Sequence, residues 1–494
     1  MYQRTHLHGL AGSFTQGQLI RLQECFPEGC IDYVEEDVQV YKAEGPQPKL
    51  SSAQAGPNLQ NTVRLLLTSD APVAPKGSSK APPKHHAEED DGSASGPTTD
   101  PVLIQLQQSF IPAASSMQSS GISHAFFAAP QNILTTITAG YEPHSPSTQD
   151  SVQAANGPTP TSESSSDQTL FMADGLKLQQ LHTGQWGLDR IDQQYRPLNR
   201  TFMFGNSSTV GSGQGVTIYT MDSGIRQTHQ EFQPWQGNAQ RVSLGPSFAS
   251  DSLNATDCDG HGTHIGSTAV GRTVGVAKEA SLVAVRVLDC TGAGQVSDVV
   301  KGLEWVGLNH KLPAVVTMSL GVKAGQWSQT LQSAVTNLIE GHGITVVVAT
   351  GNDQVDACQI TPANVNGTIA VAGSDMSNKF NSPQSTDYEL IYEYDNTGAC
   401  VDIFAPGVDI LAACGGAGRC TPLDDSNYAW ASGTSMAVPH VAGAAAIYLA
   451  QNPNATPAQV SQAITTASTP GLLDTNGMLP GTPNRLLYVD PNVI

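Results

Sequence analysis

Residues 215–224 read GVTIYTMDSG. The run 216–221 is β-branched, aromatic or apolar throughout. It then stops on Asp222, Ser223 and Gly224. Such a run, too continuous for one wet face, predicts a strand buried on both sides. Three further runs share the pattern: ASLVAVRVLD (280–289), LPAVVTMSLG (312–321) and ITVVVATGN (344–352). Between them lie helical stripes. SDVVKGLEWV (297–306) aligns Val299, Val300, Leu303 and Val306; SQTLQSAVTNLIEGHG (328–343) aligns Leu331, Val335, Leu338 and Ile339. Apolar strands alternating with amphipathic helices predict an α/β fold, a mostly parallel, doubly wound sheet with helices on both faces. Sheets of this kind place chemistry beyond the carboxyl ends of their strands, where Asp222 stands.

Taken alone, Asp222 also reads as a helix cap or turn residue. DCDGHGTHIGSTAVG (257–271) sets His261 and His264 three apart between acidic residues, open to a metal cluster or to a general base at a helix start. The glycines around His261 predict close backbone approach. SGTSMAVPHVAG (432–443) opens a helix on Ser435, with Pro439 in its early turns and almost no bulk. A serine hydroxyl needs a base to become a nucleophile. Together, Asp222, His261 and Ser435 complete such a set in the order Asp, His, Ser.

DSG (222–224), HGTHIGS (261–267) and GTSMAVPHVAG (433–443) resemble the three active-site motifs of subtilisin-like serine peptidases. VRVLDCTGAGQVSDVVKGLEWV (285–306) and VVVATGNDQVDACQITPA (346–363) resemble the proteinase K branch. The resemblance implies a serine endopeptidase acting through an acyl-enzyme on Ser435, made as a self-processing precursor. It implies Asn352 in the oxyanion hole, and two substrate-clamping edges, Gly292-Ala293-Gly294 and Ser319-Leu320-Gly321. It places Ala349, Thr350 and Gly351 at the primary pocket, with Thr350 narrowing it. A second reading is a self-cleaving binding protein with little activity in trans. The resemblance further implies disulfides Cys258–Cys290 and Cys358–Cys400. Cys414 and Cys420 are close enough in sequence to pair as well. No cofactor is implied for catalysis, but a structural calcium is, held by Asp402 with the carbonyls of Asn366 and Thr368.

Composition separates three zones. HGLAGSFTQGQLIRLQ and IDYVEEDVQV, within 1–44, resemble the second half of an inhibitory propeptide of these enzymes, a small α+β remnant that would inhibit its own chain. Residues 12–25 read as a short helix and 31–41 as a strand. Residues 45–178 are rich in Pro, Ser, Thr and charge and read as a mostly disordered linker, the pair His85-His86 included. The peptidase domain is read over 179–494.

The 494 residues carry 23 Lys and Arg against 43 Asp and Glu, a net charge of −20. That excess repels phosphate and excludes nucleic acid as a partner. No apolar run approaches a membrane span, so no membrane partner is expected. The expected partners are extended polypeptides, bound by a monomer. Five N-x-S/T sequons and the cysteines fit a secreted, extracellular or vacuolar-lysosomal setting, although the N-terminus has no apolar signal segment.

Overall fold

The computed structural model describes residues 8–13, 33–45, 62–67, 169–171, 176–181, 185–205, 212–234, 240–251, 253–376, 389–416, 420 and 423–489. The chain forms two compact units. One comprises Met1–Pro72 with Ser165–Ile494 and holds every described residue; the other is Val73–Ser164.

The four apolar runs become strands. In chain order the strands are β1 (His8–Ser13), β2 (Tyr33–Glu36), β3 (Gln39–Lys42), β4 (Thr62–Leu67), β5 (Thr169–Phe171), β6 (Leu176–Gln180), β7 (Thr201–Gly205), β8 (Thr217–Asp222), β9 (Val242–Ser247), β10 (Ser281–Arg286), β11 (Ala293–Gln295), β12 (Ala314–Met318), β13 (Leu320–Val322), β14 (Thr345–Ala349), β15 (Ile369–Asp375), β16 (Leu390–Ile391), β17 (Ile403–Pro406), β18 (Ile410–Ala413), β19 (Tyr428–Ala431), β20 (Thr469–Pro470) and β21 (Arg485–Leu486). The helices are α1 (Trp186–Ile191), α2 (His261–Val270), α3 (Val296–Asn309), α4 (Gln329–Thr336), α5 (Thr434–Gln451) and α6 (Pro457–Ala467).

The central sheet runs β20-β21-β17-β15-β14-β12-β8-β10-β9, with β16 on β15. Its interior pairings are parallel; β20 and β16 join antiparallel. From β8 the chain first builds outward through β9 and β10, then crosses to β12 on the other side. Strand order therefore reverses at β8, and Asp222 is its last residue, at the crevice where such sheets bind ligands.

Period-two alternation sends neighbouring side chains into separate cores. Ile218, Val315 and Val347 pack into one; Tyr219, Val316, Val346 and Val348 pack into the other. The predicted stripes Val299, Val300, Leu303 and Val306 of α3, and Leu331 and Val335 of α4, close the second core. Helix α5 closes the first with Val438, Val441, Ala442 and Ala444 to Ala446. It is buried on nearly every side, which is why its residues are small: Cβ on Gly443 would stand 2.5 Å from Val276 Cβ.

Pro439 lies in the second turn of α5 rather than among the unpaired N–H groups of the first. It cannot donate to the Ser435 carbonyl four residues earlier, a defect that ordinarily costs about 3 kcal/mol in a helix interior. Ser319 Oγ offsets it by donating to the Ser435 carbonyl at 3.0 Å.

The N-terminal zone differs from its sequence reading. Residues 8–13, partly assigned to a helix over 12–25, form β1; the rest of that expected helix lies outside the described residues. The expected strand over 31–41 divides into β2 and β3. Strand β4, inside the stretch read as linker, joins β1 and β2 in a sheet of order β1-β4-β2. β5 and the start of β6 also fall in that stretch and pair on toward β7, so sheet structure crosses both expected boundaries. Short alternating runs such as TVRLLL carry too little periodicity to stand out from their polar surroundings. The pair His85-His86 and Cys25 and Cys30 lie outside the described residues.

Candidate active site

Asp222 and His261 are both buried, and His261 Nδ1 lies 2.8 and 3.0 Å from the two Asp222 oxygens. The Ser223 N–H donates to Asp222 Oδ1 at 2.7 Å and fixes the carboxylate. The approach needs glycine at 262, where a Cβ would stand 2.1 Å from the Gly224 carbonyl oxygen and 3.2 Å from Asp222 Oδ1. His261 Nε2 is buried and has no hydrogen-bond partner among the described residues. His264 turns away, its Nε2 within hydrogen-bond distance of the carbonyls of Ile410 (3.0 Å) and Ala429 (3.2 Å), so the two histidines do not share a metal site.

The start of α2 is held from within. Asp257 accepts from the N–H groups of Asp259, Gly260 and Thr263 and from the hydroxyls of Ser223 and Thr263. Burial pushes the Asp257 carboxyl above the usual carboxylate range, against the pull of the Thr263 and Gly260 donors. Ser223 Oγ in turn accepts the Gly262 N–H at 2.9 Å.

Ser435 is the second residue of α5 and fully buried. Its Oγ donates to the Ser319 carbonyl at 3.1 Å. Asn352 sits opposite. Its Oδ1 accepts the Thr434 N–H at 3.0 Å, which fixes the amide plane and leaves Nδ2 buried without a partner among the described residues.

Between these groups lies the chain's own segment 39–45. Strand β3 is the central strand of a sheet ordered β11-β3-β13, antiparallel to both neighbours. Lys42 N donates to the Gly292 carbonyl (3.1 Å), and Ala43 N to the Ser319 carbonyl (3.0 Å). The Ala43 carbonyl accepts the Ser435 N–H at 2.9 Å. Beyond it, Gly45 N donates to the Ser432 carbonyl at 3.0 Å. The two edges expected from sequence, Gly292-Ala293-Gly294 and Ser319-Leu320-Gly321, thus flank a peptide by strand addition.

Gly433 permits the approach: with φ +146, a Cβ there would stand 2.7 Å from the Ala43 carbonyl oxygen. The cleft alongside is lined in part by Ala349, Gly351, Asn352 and Ile360. Thr350 is not among its lining residues. Its hydroxyl donates to the Val371 carbonyl at 3.2 Å, because alternation along the extended backbone turns it away from the face shown by Ala349 and Gly351. The expectation that Thr350 narrows the pocket is corrected accordingly.

Several positioning residues escape sequence reasoning: Asp257, Ser223, Thr434 (whose hydroxyl accepts the Gly351 N–H at 3.2 Å) and Asn396 (whose amide donates to the Thr350 carbonyl at 2.8 Å). They act by side chain-to-backbone bonds, which leave no spacing signature. Asp259 also lies in the cleft wall, paired with Lys42.

Disulfides join Cys258 to Cys290 and Cys358 to Cys400, with Cα atoms 5.0 and 5.1 Å apart, and Cys414 to Cys420. Asp402 Oδ2 accepts the Ala370 N–H at 2.8 Å. Asp402 N in turn donates to the Ala370 carbonyl at 2.9 Å.

The subtilase family profile (peptidase S8) matches residues 213–485. The chain is 44% identical to an extracellular serine proteinase of Thermus sp. (strain Rt41A), over 61% of this chain and 65% of that protein. It is 41% identical to alkaline serine exoprotease A of Vibrio alginolyticus, over 61% of this chain and 50% of that protein. The chain thus spans less than two thirds of the length of these two relatives. A cuticle-degrading serine protease of Arthrobotrys oligospora is 37% identical, over 61% of this chain and 67% of that protein. The crystal structure of a cold adapted subtilisin-like serine proteinase superposes with a TM-score of 0.51 at 38% identity, covering 62% of this chain and 97% of that one. With the parallel sheet, the buried Asp222–His261 pair and Ser435 at a helix start, these likenesses establish that the chain belongs to the subtilase family.

Proposed function

We propose that the protein is a serine endopeptidase that cleaves itself between Ala43 and Glu44 and then extended polypeptides. One observation carries this reading: a peptide lies as a strand between the two edges with the Ala43 carbonyl on the Ser435 N–H. Ser435 Oγ attacks the carbonyl carbon while His261 Nε2 takes its proton. Asp222 holds the other ring nitrogen and stabilises the imidazolium. The carbonyl oxygen becomes an oxyanion, bonded by the Ser435 N–H and the free Asn352 Nδ2. His261 returns the proton to the departing nitrogen, and water hydrolyses the acyl-enzyme by the same steps. Nucleophile, base and oxyanion donors are all protein groups, so the chemistry needs no cofactor.

The seated segment supports an inhibitory role for the N-terminal zone before release. Since every group comes from one chain, the proposed active species is a monomer. Three disulfides, and relatives with an extracellular proteinase name, support a secreted setting. A structural calcium on Asp402 with the carbonyls of Asn366 and Thr368 is proposed as well; chelation should lower the melting temperature if it binds.

Mass spectrometry of the expressed chain tests the central reading. New termini at Ala43 and Glu44, absent in Ser435→Ala, together with turnover of a peptide substrate, are expected. An unprocessed wild-type chain that leaves peptides intact would overturn it.

A further inference from the structure

The position just before Ala43 has a chemistry of its own. Lys42 crosses the cleft floor at Gly292, where φ is +76 and a Cβ would stand 2.5 Å from the lysine Cδ and 2.6 Å from Cε. Only a residue without a side chain leaves that channel open. At its end, Lys42 Nζ lies 2.8 and 2.7 Å from the two oxygens of Asp259, with Glu44 Oε2 at 3.5 Å. Asp259 is 8% exposed, and its Oδ1 also accepts the His261 N–H at 3.0 Å. It is therefore held beside His261 by the start of α2, and Cys258 next to it is tied to Cys290. A carboxylate kept this far from water is costly unless a cation meets it. In the enzyme proper, Lys42 is supplied by the bound peptide rather than by the cleft wall.

We propose that Asp259 is a specificity-determining residue that selects a basic side chain at the position immediately preceding the residue whose carbonyl meets Ser435. The inference rests on the peptidase reading above and adds a substrate class to it: chains in which lysine or arginine is followed by a small residue such as alanine. The lysine carries its positive charge across Gly292 to the carboxylate, while the backbone bonds on either side are indifferent to sequence. A glutamate at that position would face Asp259 with like charge.

The test compares two peptides on the expressed full chain. Both carry Gln-Val-Tyr-Xaa-Ala before the scissile bond, with Xaa either lysine or glutamine. The lysine peptide should be cleaved with kcat/KM roughly tenfold higher, the worth of one charge-assisted bond. The ratio should shrink as salt is raised. In Asp259→Asn, which keeps an acceptor for the His261 N–H, the ratio should fall toward one through loss on the lysine peptide. The glutamine peptide gauges any disturbance of His261 itself. Equal rates on both peptides in the wild type, or an unchanged ratio in Asp259→Asn, would refute the subsite while leaving the peptidase intact. Cleavage of neither peptide would remove both readings.

Discussion

Helices α2 and α5 enter the site alike and end their first turns differently. Each starts after a glycine, Gly260 or Gly433, with no side-chain cap of its own. In α2 the orphan N–H groups are consumed internally: His261 N by Asp259, Gly262 N by Ser223 Oγ and Thr263 N by Asp257. In α5, Thr434 N goes to Asn352, but Ser435 N goes to the carbonyl of a seated peptide. The same positive helix end thus fixes a histidine in one place and holds a peptide carbonyl in the other. A helix start becomes a ligand site where the protein declines to cap it.

The largest break in this comparison is Ser435→Ala, which should lower kcat about 10⁶-fold with the fold retained; that scale is borrowed from subtilisin, a member of the same family. Asn352→Ala should follow, at about 10²–10³-fold in kcat with KM little changed, again the subtilisin scale. A rate near wild type for Ser435→Ala would dissociate α5 from the chemistry, and one for Asn352→Ala would remove its amide from the proposed oxyanion contacts.

The depth of α5 can be probed by pH. His440 is buried, its Nδ1 lies 2.8 Å from the Met436 carbonyl, and burial lowers its pKa to about 4. The unfolded chain binds this proton near pH 6.5, whereas the folded chain excludes it down to about 4. Stability is then full above about 6.5 and falls by about 3 kcal/mol as pH drops toward 4. Melting temperatures between pH 7 and 4.5 should show the slope in wild type and a weaker one in His440→Gln. Matching slopes would assign it to other groups.

The smallest effect concerns the capped end. Asp257→Asn replaces an acceptor oxygen by a donor at the start of α2 and should cost about 2 kcal/mol for one unsatisfied buried N–H or hydroxyl. Denaturant midpoints would measure it. A neutral result would mean that α2 is held by Ser223 and Asp259 alone.

Much was legible beforehand because it obeys short-range rules. Two-sided apolar runs gave away the parallel strands, and the stripe Val299, Val300, Leu303 and Val306 gave away α3. The triad candidates stood at a strand end and two helix starts. Thr350 was misplaced because its side is set by alternation relative to a pocket, and a pocket exists only after folding. The bond that compensates Pro439 is not legible locally, because its donor, Ser319, is 120 residues away.

Composition and periodicity sufficed for the sheet and the helices, since these depend on neighbours a few residues apart, and the three short motifs singled out Asp222, His261 and Ser435 as candidates. Long-range packing alone settled which N–H groups stay uncapped, that segment 39–45 fills the cleft and that Lys42 meets Asp259, 217 residues away. Such contacts are made by backbone groups and single charges whose partners carry no local pattern, so they come into being only when the chain closes on itself.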